Sequence, residues 1–156
     1  MKGFTMITSE YTANSRSDAA AGDTTIVLAR HAHWLLRGAL ASVFIFHGID
    51  KFLGAGIGGF AQMMGFPTLL ALMVALGEIG AGAAVLLGGL MRNFYGDALT
   101  RLGGLGVFGI MVGAVFLAHW GQWHFMPSAT HPMGGMQFQV TLMLVGIYLF
   151  IKGNER

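Results

Sequence analysis

Four stretches of this chain are apolar enough to lie in a lipid bilayer, and that restricts the fold more than any other feature. Inside hydrocarbon every backbone N–H and C=O must find its partner within the protein, so only helices and closed barrels cross. A helix needs about 20 mostly apolar residues to span a ~30 Å core. The candidate spans cover about 34–53, 67–90, 101–120 and 136–152, the last being marginal in length. Composition agrees. The chain is 54% hydrophobic and 10% charged, with mean hydropathy +0.64, where a soluble domain carries about 25% charged residues. The 156 residues suit one domain of a few helices.

Residues 1–29 are polar, rich in Ser, Thr, Ala and Asp. They lack a basic n-region followed by an apolar h-region, so they are expected to form a tail, with Thr24 to Leu28 apolar enough to lie on a membrane surface. The domain division is therefore a polar tail over 1–30 and a membrane domain over 31–156. In the first span Arg37 stands near one end, Asp50 and Lys51 near the other, and Trp34 suits a headgroup boundary. Gly54, Gly56, Gly58 and Gly59 then predict a loop or short re-entrant piece over 54–65. Pro67 fits the first position of the second helix, where a missing N–H costs nothing. Gly80, Ala84 and Gly88 form a small-residue stripe for helix packing, and Gly109 with Gly113 forms a second. Residues 91–100 read as a short polar connection, which favours antiparallel neighbours.

Charge sets the orientation. Lys2, Arg16, Arg30, Arg37, Arg92, Arg101, Lys152 and Arg156 fall at one side of a four-span arrangement, and only Lys51 at the other. The positive-inside rule then places both termini in the cytoplasm, and the Gly-rich loop and the His/Trp loop at 119–136 outside. The expectation is an all-α protein, a four-helix transmembrane bundle with both termini cytoplasmic. The basic residues lie at segment ends rather than in a patch, so nucleic acid is not an expected partner, whereas membrane lipid is. The absence of cysteine removes disulfides, thiolate metal sites and cysteine redox relays. No phosphate loop, dinucleotide fingerprint or nucleophile elbow is present.

Ionisable groups deep in membrane segments are expensive and mark functional sites by default. Glu78 lies about eleven residues into the second span, ~16 Å along the axis. It must be protonated, paired or in a polar cavity; it reads either as a proton-handling or quinone-binding carboxylate or as a packing residue hydrogen-bonded to a neighbouring helix. His47, Asp50 and Lys51 share a helical face if the first helix persists. They form either the roof of an outward polar cavity floored by Glu78 or a helix-end ion pair beside a core histidine. The candidate catalytic residues are Glu78 and His47; the candidate cofactor-binding residues are Lys51, Asp50 and Glu78. His119, His124 and His131, with Trp120 and Trp123, read as an aromatic belt with polar partners, or as a metal or haem site if the loop folds back on the bundle. No metal ligand is assigned.

The order Arg37-Gly38, His47-Gly48-x-x-Lys51-Phe52, Phe60-Ala61, Phe66-Pro67 and Glu78 resembles the DoxX/DoxD family over about residues 34–153. Gly134-Gly135-Met136-Gln137-Phe138-Gln139 is similar to that family's Gly-Gly-x-Glu segment before its last helix, with Gln137 where many members have Glu. The family's usual Gly-Pro-Gly ending is absent. The family includes the small membrane subunit of thiosulfate:quinone oxidoreductase. The resemblance implies a four-helix protein of the cytoplasmic (inner) membrane, a component of a larger redox complex with protein partners, and quinone as cofactor or co-substrate. Lys51 and Glu78 occupy positions typical of the family. Two functions follow as expectations: a quinone-associated redox subunit, or a non-catalytic anchor that seats a partner. A solute or proton pathway ranks below both, because no inverted repeat or pair of broken helices is evident.

Overall fold

The computed structural model describes residues 31–154, so the tail expected over 1–30 lies outside the described residues. The described residues form five helices and no strand. They are α1 (His31–Leu53), α2 (Gly56–Met64), α3 (Thr68–Leu90), α4 (Phe94–Ala114) and α5 (Gln137–Lys152), with a π-helical segment, Val115–His119, prolonging α4. The chain divides into two units, Met1–Leu35 and Leu36–Arg156. Of the first only the opening of α1 is described, with the His33 and Trp34 rings 5.7 Å apart.

Three helices are long and apolar enough to cross a membrane: α1, α3 and the 26-residue run Phe94–His119. At 16 residues α5 is shorter, about 24 Å at 1.5 Å per residue. The chain is a multi-pass membrane protein. Its helices are apolar outside as well as inside, as lipid requires. Leu69, Met73, Leu76 and Leu87 of α3 are exposed, while its buried positions are mostly small: Ala71, Ala75, Ala81, Gly82, Val85 and Gly88. Small residues let backbones approach where no hydrophobic driving force separates helix from lipid.

Those approaches fix the register. A Cβ on Gly48 would stand 2.8 Å from the Ala75 carbonyl oxygen, and one on Gly82 3.3 Å from that of Ala41, so α1 and α3 run antiparallel. Gly88 meets Thr100 and Gly103 meets Val85, which sets α4 antiparallel to α3. Gly104 lies against Gly146 and Phe150 while Gly146 also lies against Val107, with no room for a Cβ on either glycine, which sets α5 antiparallel to α4. Leu40, Phe44, Val85, Val107, Leu142 and Leu149 fill the interior between these contacts.

Four sequence expectations need correction. The polar connection at 91–100 shrinks to 91–93, because Asn93 caps α4 by accepting from the Gly96 N–H at 2.9 Å and Asp97 lies in the first turn, where the helix dipole favours a carboxylate. Gly109 and Gly113 pack against nothing: a Cβ at either would meet open space, and both line a cavity. Of the Gly80/Ala84/Gly88 stripe, Gly88 sits against α4 and Ala84 faces Gly103, but Gly80 is exposed with no neighbour. The Gly-rich stretch read as a loop or re-entrant piece is partly helical: α2 runs from Gly56 to Met64 and stops at Gly65 in the left-handed conformation (φ 66°).

One end of the helices is locked by a polar cluster. Arg37 is fully buried and donates to the Val85 carbonyl (2.7 Å), Thr100 Oγ1 (2.9 Å), the Gly153 carbonyl (3.2 Å) and Asn154 Oδ1 (2.7 Å). A single side chain of α1 thus ties α3, α4 and the end of α5 together. Arg101 pairs with Asp97 at 2.8 Å and donates to the Phe150 and Ile151 carbonyls, the orphan acceptors at the end of α5. Asp97 in turn accepts from the Asn154 N–H at 2.7 Å.

Candidate functional site

At the opposite end the helices part around a cavity of about 640 Å³. Its wall takes Val43 to Lys51 from α1, Leu70 to Glu78 from α3, Gly109 to Ala114 from α4 with the π segment beyond, and Phe138 to Leu142 from α5. Phe60 and Met64 of α2 also line it, as do Phe125 and Met133 of the loop at 120–136. The volume lies in the range of small-molecule sites, about 300–1,000 Å³, and the lining is mostly apolar with a few polar groups, as such sites usually are.

Lys51 and Glu78 meet on this wall. Lys51 Nζ is 2.6 Å from Glu78 Oε2, and their side chains are only 14% and 9% exposed. The turn geometry of α1 and the close contact at Gly48 bring Lys51 within reach of α3, while Phe60 of α2 lies 4.9 Å beneath the ammonium. Lys51 also donates to the His47 carbonyl at 3.3 Å. Glu78 is therefore paired rather than isolated. An ion pair taken out of water is costly unless its geometry is good, and here it faces a space large enough for a ligand.

The other sequence candidates divide. His47 lines the cavity but is exposed. Asp50 is exposed and outside the lining; its backbone carbonyl accepts from the Gly54 N–H at 2.8 Å, which places it at the helix end rather than in the cavity. The three residues do not share one face as the spacing suggested: His47 and Lys51 line the cavity and Asp50 does not.

The loop at 120–136 does fold back. The backbone N–H groups of Gly135, Met136 and Gln137 bond to the carbonyls of His124, Gln122 and Trp123, and the Gln122 side chain donates to the Met126 carbonyl at 2.6 Å. This fold separates the histidines. His131 Nε2 donates to the Trp120 carbonyl at 2.7 Å, and His124 faces Gln122. Among the described residues no three His, Cys, Asp or Glu side chains come together in a way that suits a metal ion.

His119 is the residue that sequence reading placed in the loop and the structure places in the helix wall. It is buried (8% exposed), lines the cavity, and holds the Gly134 carbonyl through Nδ1 at 2.8 Å and Gln139 Nε2 through Nε2 at 3.0 Å. A signal was present: Val107, Met111, Val115 and His119 are all buried at four-residue spacing, so His119 continues the inward stripe of α4. The π segment widens the last turn and ends on it, and single π turns recur at functional sites. In the segment after the double glycine, Gln139 and not Gln137 lines the cavity; Gln137 is exposed at the start of α5.

Membrane-length helices around a polar pair in an apolar cavity define an integral membrane protein with a candidate site inside its helical core. The DoxX family model matches residues 32–120, more than half of the chain and nearly all of the run from α1 to the π segment. The chain belongs to the DoxX family. No curated protein and no solved structure matches it.

Proposed function

We propose that this protein is a quinone-associated redox subunit of a larger complex in the cytoplasmic membrane, and that the Lys51–Glu78 pair holds the quinone headgroup. The observation that supports this reading is a buried ion pair on the wall of an apolar 640 Å³ cavity. A bound quinone would supply a two-electron, two-proton acceptor. The residues suit it: Lys51 offers N–H donors to a carbonyl oxygen, Glu78 offers a carboxylate able to pass a proton, and Phe60, Phe125 and Phe138 give flat apolar surface. Lys51 orients the ligand oxygen, Glu78 balances the ammonium while the site is dry, and the apolar wall keeps water from the pair. Electrons would come from a reduced donor, such as a sulfur compound, through a protein partner; the chain has no cysteine to relay them.

In this reading α1, α3, α4 and α5 all cross as a four-span bundle. Both termini are cytoplasmic and the cavity lies towards the outer face. The membrane domain covers 31–156, with 1–30 as a cytoplasmic tail.

The test is binding of a short-chain benzoquinone to the purified chain, with Lys51→Met and Glu78→Gln, alongside turnover of the native complex. Loss of a charge-assisted hydrogen bond weakens binding by about tenfold or more. Unchanged binding and turnover in both variants would remove the role given to the pair. A second reading, an accessory subunit that seats a partner helix, is favoured by Gly80, which is exposed on α3 with open space at its Cβ position. Gly80→Leu should then release a co-purifying partner and leave quinone binding intact.

A further inference from the structure

Helices α3 and α4 pack as a ladder that opens before its last rungs. A Cβ on Gly88 would meet Thr100, one on Gly103 would meet Val85, one on Gly106 would stand 3.3 Å from Ala81, and one on Gly77 3.5 Å from the Ile110 side chain. Each step of three or four residues towards the start of α3 is matched by one of three or four towards the end of α4, the spacing of a single helical face. The next two rungs are Val74 opposite Gly113 and Leu70 opposite Leu117. There the ladder opens: a Cβ on Gly113 would meet nothing within 4 Å, and all four residues line the cavity. The gap runs through to the outer surface. Gly109 and Met111 flank Ile110, and at about 100° per residue they stand on opposite sides of the line that faces α3. Met111 is buried in the core and Gly109 is exposed, yet both line the cavity. Leu70 and Leu117 line it too and are exposed. The two helices are long and apolar enough to cross a membrane, so lipid lies outside the gap.

Polarity is ordered along this gap. Leu70 and Val74 make its α3 side apolar, while Glu78, one turn and about 6 Å further along the axis, holds Lys51 at 2.6 Å. Elsewhere α2 and the loop at 120–136 offer the cavity only apolar side chains, Phe60, Met64, Phe125 and Met133 among them. An apolar passage from lipid that ends on one polar pair matches a molecule with one polar head and one apolar tail. A gap left empty would forfeit the packing contacts of its lining, and the chains at hand to fill it are those of the bilayer. We infer that the cavity is loaded sideways from the membrane between the ends of α3 and α4, and that its ligand is a lipid-dissolved amphiphile. Its small head sits at the Lys51–Glu78 pair and its single tail lies between Val74 and Gly113, reaching the lipid past Leu70 and Leu117. This route rests on the pair being a headgroup site; it does not require the head to be a quinone.

The test uses the full chain in phosphatidylcholine vesicles and two photoreactive probes, each with a diazirine midway along a decyl tail. One probe carries a benzoquinone head and the other a hydroxyl, and mass spectrometry maps the labelled residues. The quinone probe should label α3 between Leu70 and Val74 and α4 between Gly109 and Leu117. Labelling should fall about tenfold in Lys51→Met/Glu78→Leu, as a charge-assisted hydrogen bond is lost, and should fall in Gly113→Leu, which fills the gap. Label on α1, α5 or the loop at 120–136 in place of the gap, or labelling unchanged in Gly113→Leu, would overturn the route and leave the quinone reading intact. Equal labelling of the gap by both probes, unmoved in Lys51→Met/Glu78→Leu, would mean that an ordinary acyl chain fills it, and would overturn the inference as well. Labelling by the hydroxyl probe alone, lost in that double variant, would defeat the quinone reading while the route stands. No labelling by either probe would defeat both.

Discussion

Removing either member of the Lys51–Glu78 pair should cost stability unequally, and the inequality follows from their surroundings. In Lys51→Met the Glu78 carboxylate keeps its burial (side chain 9% exposed) and loses its only ion-pair partner among the described residues, 2.6 Å away. Stripping one partner from a buried pair typically costs about 3–5 kcal/mol, because a charge stays desolvated. In Glu78→Gln the ammonium retains more. Gln can still accept from Lys51, the His47 carbonyl is 3.3 Å away, and the Phe60 ring lies 4.9 Å below. A cation over a ring contributes about 0.5–2 kcal/mol, so the expected loss is roughly 1–2 kcal/mol. The double variant Lys51→Met/Glu78→Leu removes both charges and fills the space with apolar atoms; it should return to within about 1–2 kcal/mol of wild type, since apolar replacement of a buried pair is often neutral. Reversible unfolding in mixed micelles, with Glu78→Leu completing the double-mutant cycle, measures the coupling. The reasoning fails if the two single losses sum to that of the double variant within about 0.5 kcal/mol, as independent sites do.

The remaining predictions concern the frame around the cavity. Arg37→Met should destabilise by roughly 2–4 kcal/mol, since acceptors on α3, α4 and the end of α5 lose a buried donor while Thr100 and Asn154 still bond each other at 2.8 Å; thermal unfolding in detergent checks it. Gly104→Ala should cost about 1–3 kcal/mol by overpacking against the Gly146 carbonyl, 2.6 Å from the new Cβ, whereas Gly113→Ala should leave unfolding unchanged because its Cβ meets open space. Gly113→Leu should instead narrow the cavity, and reduced binding of a benzoquinone with unaltered unfolding is the expected pairing. Gly134→Ala should both destabilise the loop, through its positive φ and the Phe125 carbonyl, and free His119 Nδ1, read as a changed imidazole tautomer by ¹⁵N NMR.

The family resemblance and the membrane character were legible in the one-dimensional chain, because both rest on local properties. A run of apolar residues of sufficient length reads as a span wherever it folds. Glu78 and Lys51 stood out since charge in such runs is rare. Span boundaries were less legible. Asn93 as a cap extended α4 back to Phe94 across residues that look like a polar connection. His119 looked like a loop residue because Trp120 and Gly121 follow it, although its four-residue register with Val107, Met111 and Val115 belongs to the helix.

Helix pairing could not be read in the same way. Gly104, Gly109 and Gly113 all stand in α4, and nothing local distinguishes the glycine that seats α5 from the two that open onto the cavity. The difference lies in the rotation of α4 against its neighbours, set by every contact along its length at once. The same holds for the polar groups. Sequence alone determined that Lys51 and Glu78 were costly in a membrane and needed company, because desolvation is a property of each charge. Only the tertiary structure decided that they keep company with each other, that Asp50 does not join them, and that Arg37 is held by Thr100 and Asn154, 63 and 117 residues away in the chain. Hydrogen bonds act over about 3 Å, so their partners are chosen by the packing of helices and not by distance along the sequence.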